Sequence, residues 1–174
     1  FNLAWPVRGD LVGLPRTGQT RCYNGAGEWV DCQESGQDGA LQQGLAWPEP
    51  RFRPLDDGVQ DHLTGLVWRR EPAEQGRSMD WEEALAWAEW LAATSGKAWR
   101  LPSINELESL VDASQSRPAL PAGHPFSRVQ EAYWSSTTSG FETDWAYALY
   151  MHKGAVGVGW KRSPGFAVWC VRQA

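Results

Sequence analysis

The spacing of hydrophobic positions changes along this chain, and each change predicts a different kind of element. Residues 1 to 60 show little periodicity and are rich in Gly, Pro, Gln and Asp, as in "SGQDGALQQGLAWPEPRF", which predicts loops and short strands lying over the rest of the protein. After a turn at "LDDGVQ", the run Leu66, Val67, Trp68 predicts a largely buried strand. The period then becomes helical. In "SMDWEEALAWAEWLAATSG", Trp81, Ala84, Leu85, Ala88, Leu91 and Ala92 share one face. Trp87 flanks that face, and Trp90 points roughly the other way, so it packs against another element or stays partly exposed. Asp80 and Glu83 stand in capping-box spacing, and Gly96 is placed to end the helix.

A second capped helix follows in "KAWRLPSINELESLVD". Ser103 and Glu106 repeat the reciprocal cap, and Pro102 holds Leu101 extended, so the chain enters the helix at a fixed corner. Ile104, Leu107 and Val111 form its buried stripe, bordered by Leu110. Trp99 is expected to be buried at this corner, and Arg100 to be held in the core by a carboxylate or carbonyls. Pro118, Pro121 and Pro125 mark residues 113 to 131 as a long surface loop, the kind of segment in which function often sits. In the last third the period falls to two: "AYWSSTT", "WAYALYMH", "GAVGVGW" and "GFAVWCVRQ" read as antiparallel strands. In the second of these, Trp145, Tyr147, Leu149 and Met151 alternate with Ala146, Ala148 and Tyr150, giving a bulky face and a smaller one. The order predicts a loop-rich α+β domain with two helices and a small antiparallel sheet.

At 174 residues the chain suits one domain with a sizeable core, residues 1 to 174 forming a single unit. A net charge of −5 with no basic run argues against nucleic acid, which needs clustered cations to neutralise phosphates. Apolar runs are far shorter than the roughly 20 residues that cross a bilayer, so the protein is not expected to be transmembrane. No signal-like segment precedes Phe1, an expectation of either a cytosolic protein or one whose leader has been removed. The 12 tryptophans are expected mainly to build a core thin in Leu and Ile, with a few left as platforms for a ligand.

Cys22 and Cys32 bracket "YNGAGEWVD", whose glycine steps read as a turn, so the two sit opposite one another across a short hairpin and suit a disulfide. Cys170, within "FAVWCV", reads as a buried, unpaired thiol. Three cysteines with His62, His124 and His152 give no zinc spacing. No Ser, His and Asp set stands out, and the pairs Glu82 with Glu83 and Glu106 with Glu108 have capping and solvent roles, so catalysis is not expected.

Taken in order, "LPRTGQTRCY", "GQDGALQQGLAWPEPRF", "DHLTGLVW", "WEEALAWAEWLA", "AWRLPSINELESLVD", "YWSSTT", "WAYALYMHKGAV" and "VWCVR" resemble the bacterial domain family DUF1566, also called the Lcl C-terminal-domain-like family. The resemblance implies a C-type-lectin-like fold related to sulfatase-modifying enzymes. It also implies an exported protein: cell-surface, periplasmic or secreted. The adhesin that names the family binds sulfated polysaccharides and works as a trimeric tip. Two departures stand out. Members often carry a cysteine in the first helix that pairs with the one before the final Val-Arg; Ala88 takes that place here and leaves Cys170 alone. Members also often carry an Asp-Asn-Gly-Asp-Gly-Thr turn, replaced here by "PLDDGVQDHLTG". No cofactor is expected, although Asp56, Asp57 and Asp61 offer oxygen ligands for Ca²⁺ if they do not simply form a solvated turn.

The expected function is a non-catalytic surface recognition module for a glycan or surface polymer. Sugars are held by aromatic faces and by planar polar groups, and in lectin-like folds the loops around the last strands carry them. Those loops, "TSGFETDW" and "HKGAVGVGWKRSP", nominate Trp145, His152, Lys153, Trp160, Lys161 and Arg162, with Trp160, Lys161 and Arg162 placed on a Gly-rich turn. The alternative is a structural protein-protein module of a pilus or surface assembly, self-associating through Trp5 and Trp90. An enzyme of the sulfatase-modifying type is the third reading.

Overall fold

The computed structural model describes residues 13–33 and 35–174. Trp5 lies outside them. The described residues are mixed α/β, with three helices and three small antiparallel sheets. A two-stranded sheet pairs β1 (Cys22–Tyr23) with β2 (Trp29–Val30), and the Cys22–Cys32 disulfide closes that hairpin. The short helix α1 (Asp38–Leu41) follows. The strands β3 (Phe52–Pro54), β4 (Val59–Asp61) and β5 (Leu66–Trp68) form a meander. Next come a 3₁₀ turn at Ala73–Gly76 and the helices α2 (Trp81–Ser95) and α3 (Ile104–Glu108). The strands β6 (Tyr133–Thr138), β7 (Trp145–Tyr150) and β8 (Ala155–Trp160) make the three-stranded sheet, and β9 (Val171–Gln173) ends the chain.

The expected small sheet is therefore divided. The last strand does not join β6–β7–β8; β9 pairs with β5, Val67 opposite Arg172, to complete a four-stranded sheet β3–β4–β5–β9. The apolar run before it explains why. Ala167, Trp169 and Val171 point into one core cluster with Trp68, Leu107 and Tyr133, while Val168 and Cys170 point into a second with Val67, Ala88 and Trp134. A segment covered on both faces has no polar alternation, hence "FAVWCV". Ala88 and Cys170 share the second cluster, and Cys170 is a free, buried thiol that burial pushes up to about 12.

Both capping boxes form. Asp80 accepts from the Glu83 N–H at 2.8 Å while Glu83 accepts from the Asp80 N–H at 3.1 Å, and Ser103 and Glu106 exchange the same pair of bonds at 3.3 and 2.8 Å. Ala84, Ala88 and Leu91 are the buried face of α2, with Trp81, Leu85 and Ala92 partly covered. Trp90 is 57% exposed and leans on Trp87 with ring centroids 5.9 Å apart. α3 is shorter than its apolar stripe because the chain tightens after Glu108: Leu110 and Val111 donate to carbonyls only three residues back. Leu110 is as fully buried as Leu107.

One expectation needs correcting. Arg100 is not in the core: its guanidinium lies at the surface and grips both carboxylate oxygens of Glu106 at 2.7 and 2.5 Å, because a partner six residues away is reachable without burial. Trp99 is buried as expected, with the guanidinium of Arg172 5.2 Å from its ring. Among the described residues the tryptophans serve mainly the interior, with a few left exposed, as expected. Trp68, Trp99, Trp134 and Trp169 are buried, Trp47, Trp81, Trp87 and Trp145 are half-buried, and Trp29, Trp90 and Trp160 are exposed.

Candidate functional site

The β7–β8 hairpin carries the residues nominated by sequence, and its two faces differ in the size of their side chains. Ala146 and Ala148 lie opposite Gly159 and Gly157. A Cβ at Gly159 would collide with the rings of Phe166 and Trp134, so the small face is cut to admit these two aromatics. Trp134 is fixed there by its indole N–H, which donates to the Met79 carbonyl at 2.8 Å. On the opposite face of β7, Leu149 is buried in the core with Leu107 and Tyr133, while Trp145 and Tyr147 towards the other end are half-buried. Trp145 lies directly opposite Trp160, and Tyr147 opposite Val158, with β8 at the edge of its sheet. Trp160 is 43% exposed. Contrary to expectation it ends a strand and does not ride on a turn, which makes it a better-fixed platform.

The loop from Ser139 to Asp144 packs beside this pair. The Ser139 N–H donates to the Trp145 carbonyl, and the Trp145 N–H to the Glu142 carbonyl. Lys161 acts as a strut: its ammonium donates to Thr138 Oγ1 and to the Thr143 carbonyl, each at 2.9 Å, and sits 4.1 Å from the centre of the Trp81 ring. Its charge is committed to the scaffold. Arg162 is exposed, and no ion pair engages it among the described residues. Phe141, which residue-type reasoning passed over, is 94% exposed in the same loop.

His152 and Lys153 are not part of this constellation. They occupy the turn at the other end of β8, about 17 Å away at roughly 3.4 Å per residue. There His152 borders two adjoining clefts of about 370 and 350 Å³, and the Lys153 ammonium lies 4.8 Å from the Tyr150 ring centre. Gln130 and Glu131, contributed by the long proline-bearing loop, line both clefts, and Arg117 from the same loop lines the first. Sequence marked the loop but not these residues.

The three aspartates nominated for Ca²⁺ do not come together. Asp61 is buried against Arg51, with bonds of 3.1 and 3.0 Å. Asp57 accepts from Lys97 at 2.6 Å and from Arg172 at 3.0 Å. Burial raises the Asp57 carboxyl, but the hydrogen bonds from Lys97 and Arg172 outweigh it and leave the group below its ordinary value. Asp56 is exposed. Among the described residues no group of three or more His, Cys, Asp or Glu side chains converges, and no helix is long and apolar enough to cross a membrane.

The family model described as the Lcl C-terminal domain matches residues 57–172, more than half of the chain. The chain belongs to the Lcl C-terminal domain family. No curated protein matches it. The span that makes this an Lcl C-terminal domain opens at Asp57 and closes at Arg172, the residues joined by the 3.0 Å ion pair. Both helices with capping boxes, the β7–β8 hairpin and the His152 clefts fall inside it, and the Cys22–Cys32 hairpin falls outside.

Proposed function

We propose that this Lcl C-terminal domain is a non-catalytic recognition module of the bacterial surface that holds a glycan or surface polymer at the Trp145–Trp160 end of β7–β8. The observation that carries the reading is the directly opposed Trp145 and Trp160, held rigid by strand pairing beside the exposed Arg162. Aromatic rings pinned at one edge of a sheet match the flat C–H surface of a sugar ring, and the guanidinium supplies paired donors for hydroxyls or an acidic group. A C-type-lectin-like arrangement, with ligand contacts made around the last strands, fits this placement. The Cys22–Cys32 disulfide supports export to an oxidising compartment. The burial of Cys170 removes the one free thiol from the reach of a substrate, which supports a binding role over sulfatase-modifying chemistry.

A second reading, protein-protein assembly, is favoured by one observation. β8 is an edge strand, and Val156 and Val158 beside Trp160 are exposed along it, a surface suited to pairing with another chain. A glycan-array screen of the purified domain, with and without Ca²⁺, separates the two. A specific hit weakened by Trp160→Ala supports recognition; a blank array, with a mass that rises with concentration, supports assembly.

A further inference from the structure

The two clefts that meet at His152 form a built site separate from the Trp145–Trp160 pair. They share Gln130, Glu131 and His152; the first adds Arg117, and the second adds Tyr150 and Phe166. Each volume falls within the roughly 300–1,000 Å³ typical of small-molecule sites.

The polar groups offer opposite hydrogen-bonding roles. His152 Nδ1 lies 3.2 Å from the Glu131 carbonyl. A carbonyl can only accept, so in the neutral ring Nδ1 carries the hydrogen and Nε2 is left as an acceptor. The Gln130 amide nitrogen donates to the Arg128 carbonyl at 2.6 Å, which leaves its oxygen as an acceptor. Glu131 offers acceptors only and Arg117 donors only, and no ion pair joins them among the described residues. The backbone is shaped around these groups. Arg117 has φ 55, a left-handed conformation that is rare for a residue with a side chain. At Gly76, with φ 95, any Cβ would run into the Gln130 side chain.

A cation is opposed by Arg117 and an anion by Glu131. A hydroxyl donates and accepts at once, so a polyol satisfies both. We propose that this paired cleft binds one neutral sugar unit, its hydroxyls held by Arg117, Gln130, Glu131 and His152, with Tyr150 and Phe166 as the aromatic wall. The proposal rests on the recognition reading for its ligand class, and it differs from that reading in place, at the opposite end of β8.

The test is amide chemical-shift mapping of the ¹⁵N-labelled domain titrated with glucose, galactose and N-acetylglucosamine, with glucuronate and glucosamine as charged comparators. The expected result is saturable shifts at Gln130, Glu131 and His152 with at least one neutral sugar, the charged sugars binding at least about tenfold more weakly. Glu131→Ala and Arg117→Ala each weaken that binding about tenfold or more, and Trp90→Ala, at an exposed tryptophan on α2, leaves it within about twofold. Absence of saturable shifts with all three neutral sugars, or equal binding of a charged one, overturns the proposal. Shifts confined to Trp145 and Trp160 overturn the cleft and leave the recognition reading standing. Shifts at the cleft, with polymer binding untouched by Trp160→Ala, keep the cleft and overturn the placement of the polymer on β7–β8.

Discussion

Arg51 holds both carboxylate oxygens of Asp61 inside the protein and reaches with the same guanidinium to the Ser109 carbonyl, 2.5 Å away just past the end of α3. One buried pair thus fixes the turn after β4 and satisfies a carbonyl that the helix end leaves without an N–H partner. Asp61 also accepts from the Leu63 N–H and the Thr64 hydroxyl. Truncating either member strands the other charge in the interior, so Arg51→Ala or Asp61→Ala is expected to cost about 3–5 kcal/mol in urea unfolding. A loss below about 1 kcal/mol in both contradicts this role.

Acid acts on α3 through Glu106. The hydrogen bonds from Arg100 hold the Glu106 carboxyl below its ordinary value, against burial, which raises it. A carboxyl depressed in the folded state contributes stability above its unfolded value and loses it as pH falls through the folded one. The unfolding midpoint is therefore expected to drop in acid below the usual range for a glutamate, and Arg100→Ala to flatten that part of the pH profile. An unchanged profile in the variant assigns the acid response to other carboxylates.

The Gly159 backbone lies against Trp134 and Phe166. Gly159→Ala overpacks that contact and is expected to cost about 1–3 kcal/mol. Thermal melting checks it: a variant as stable as the parent means that the two rings yield.

Thiol labelling reports on the cysteines. With burial pushing the Cys170 thiol up to about 12, the native protein is expected to resist alkylation. Unfolded without reductant it yields one thiol, because Cys22 and Cys32 remain bonded. Rapid labelling of the native domain contradicts the burial of Cys170.

What the sequence disclosed was local. The partners of the Asp80–Glu83 and Ser103–Glu106 boxes stand three positions apart and the two hairpin cysteines ten, so pattern alone placed them. Contacts between distant segments were not legible. Nothing near Val67 announces Arg172 as its strand partner, and nothing near Arg51 announces Ser109. Arg100 is expected in the core at the scaffold corner, whereas it lies at the surface with its carboxylate partner Glu106 on the adjoining first helical turn. The candidate site divided for a related reason. Trp145 and Trp160 are brought together by register, while His152 and Lys153, close in sequence to both, are carried a strand's length away.

The most direct test of the recognition account compares two exposed tryptophans. Trp160 lies in the proposed site, and Trp90, more exposed still, lies on α2 outside it. Binding of an array-identified polymer is measured by titration calorimetry for Trp160→Ala and Trp90→Ala, with the melting temperature of each. The account predicts at least about a tenfold loss of affinity for Trp160→Ala at unchanged melting temperature, with Trp90→Ala binding as the parent does. Equal affinity in the two variants contradicts it.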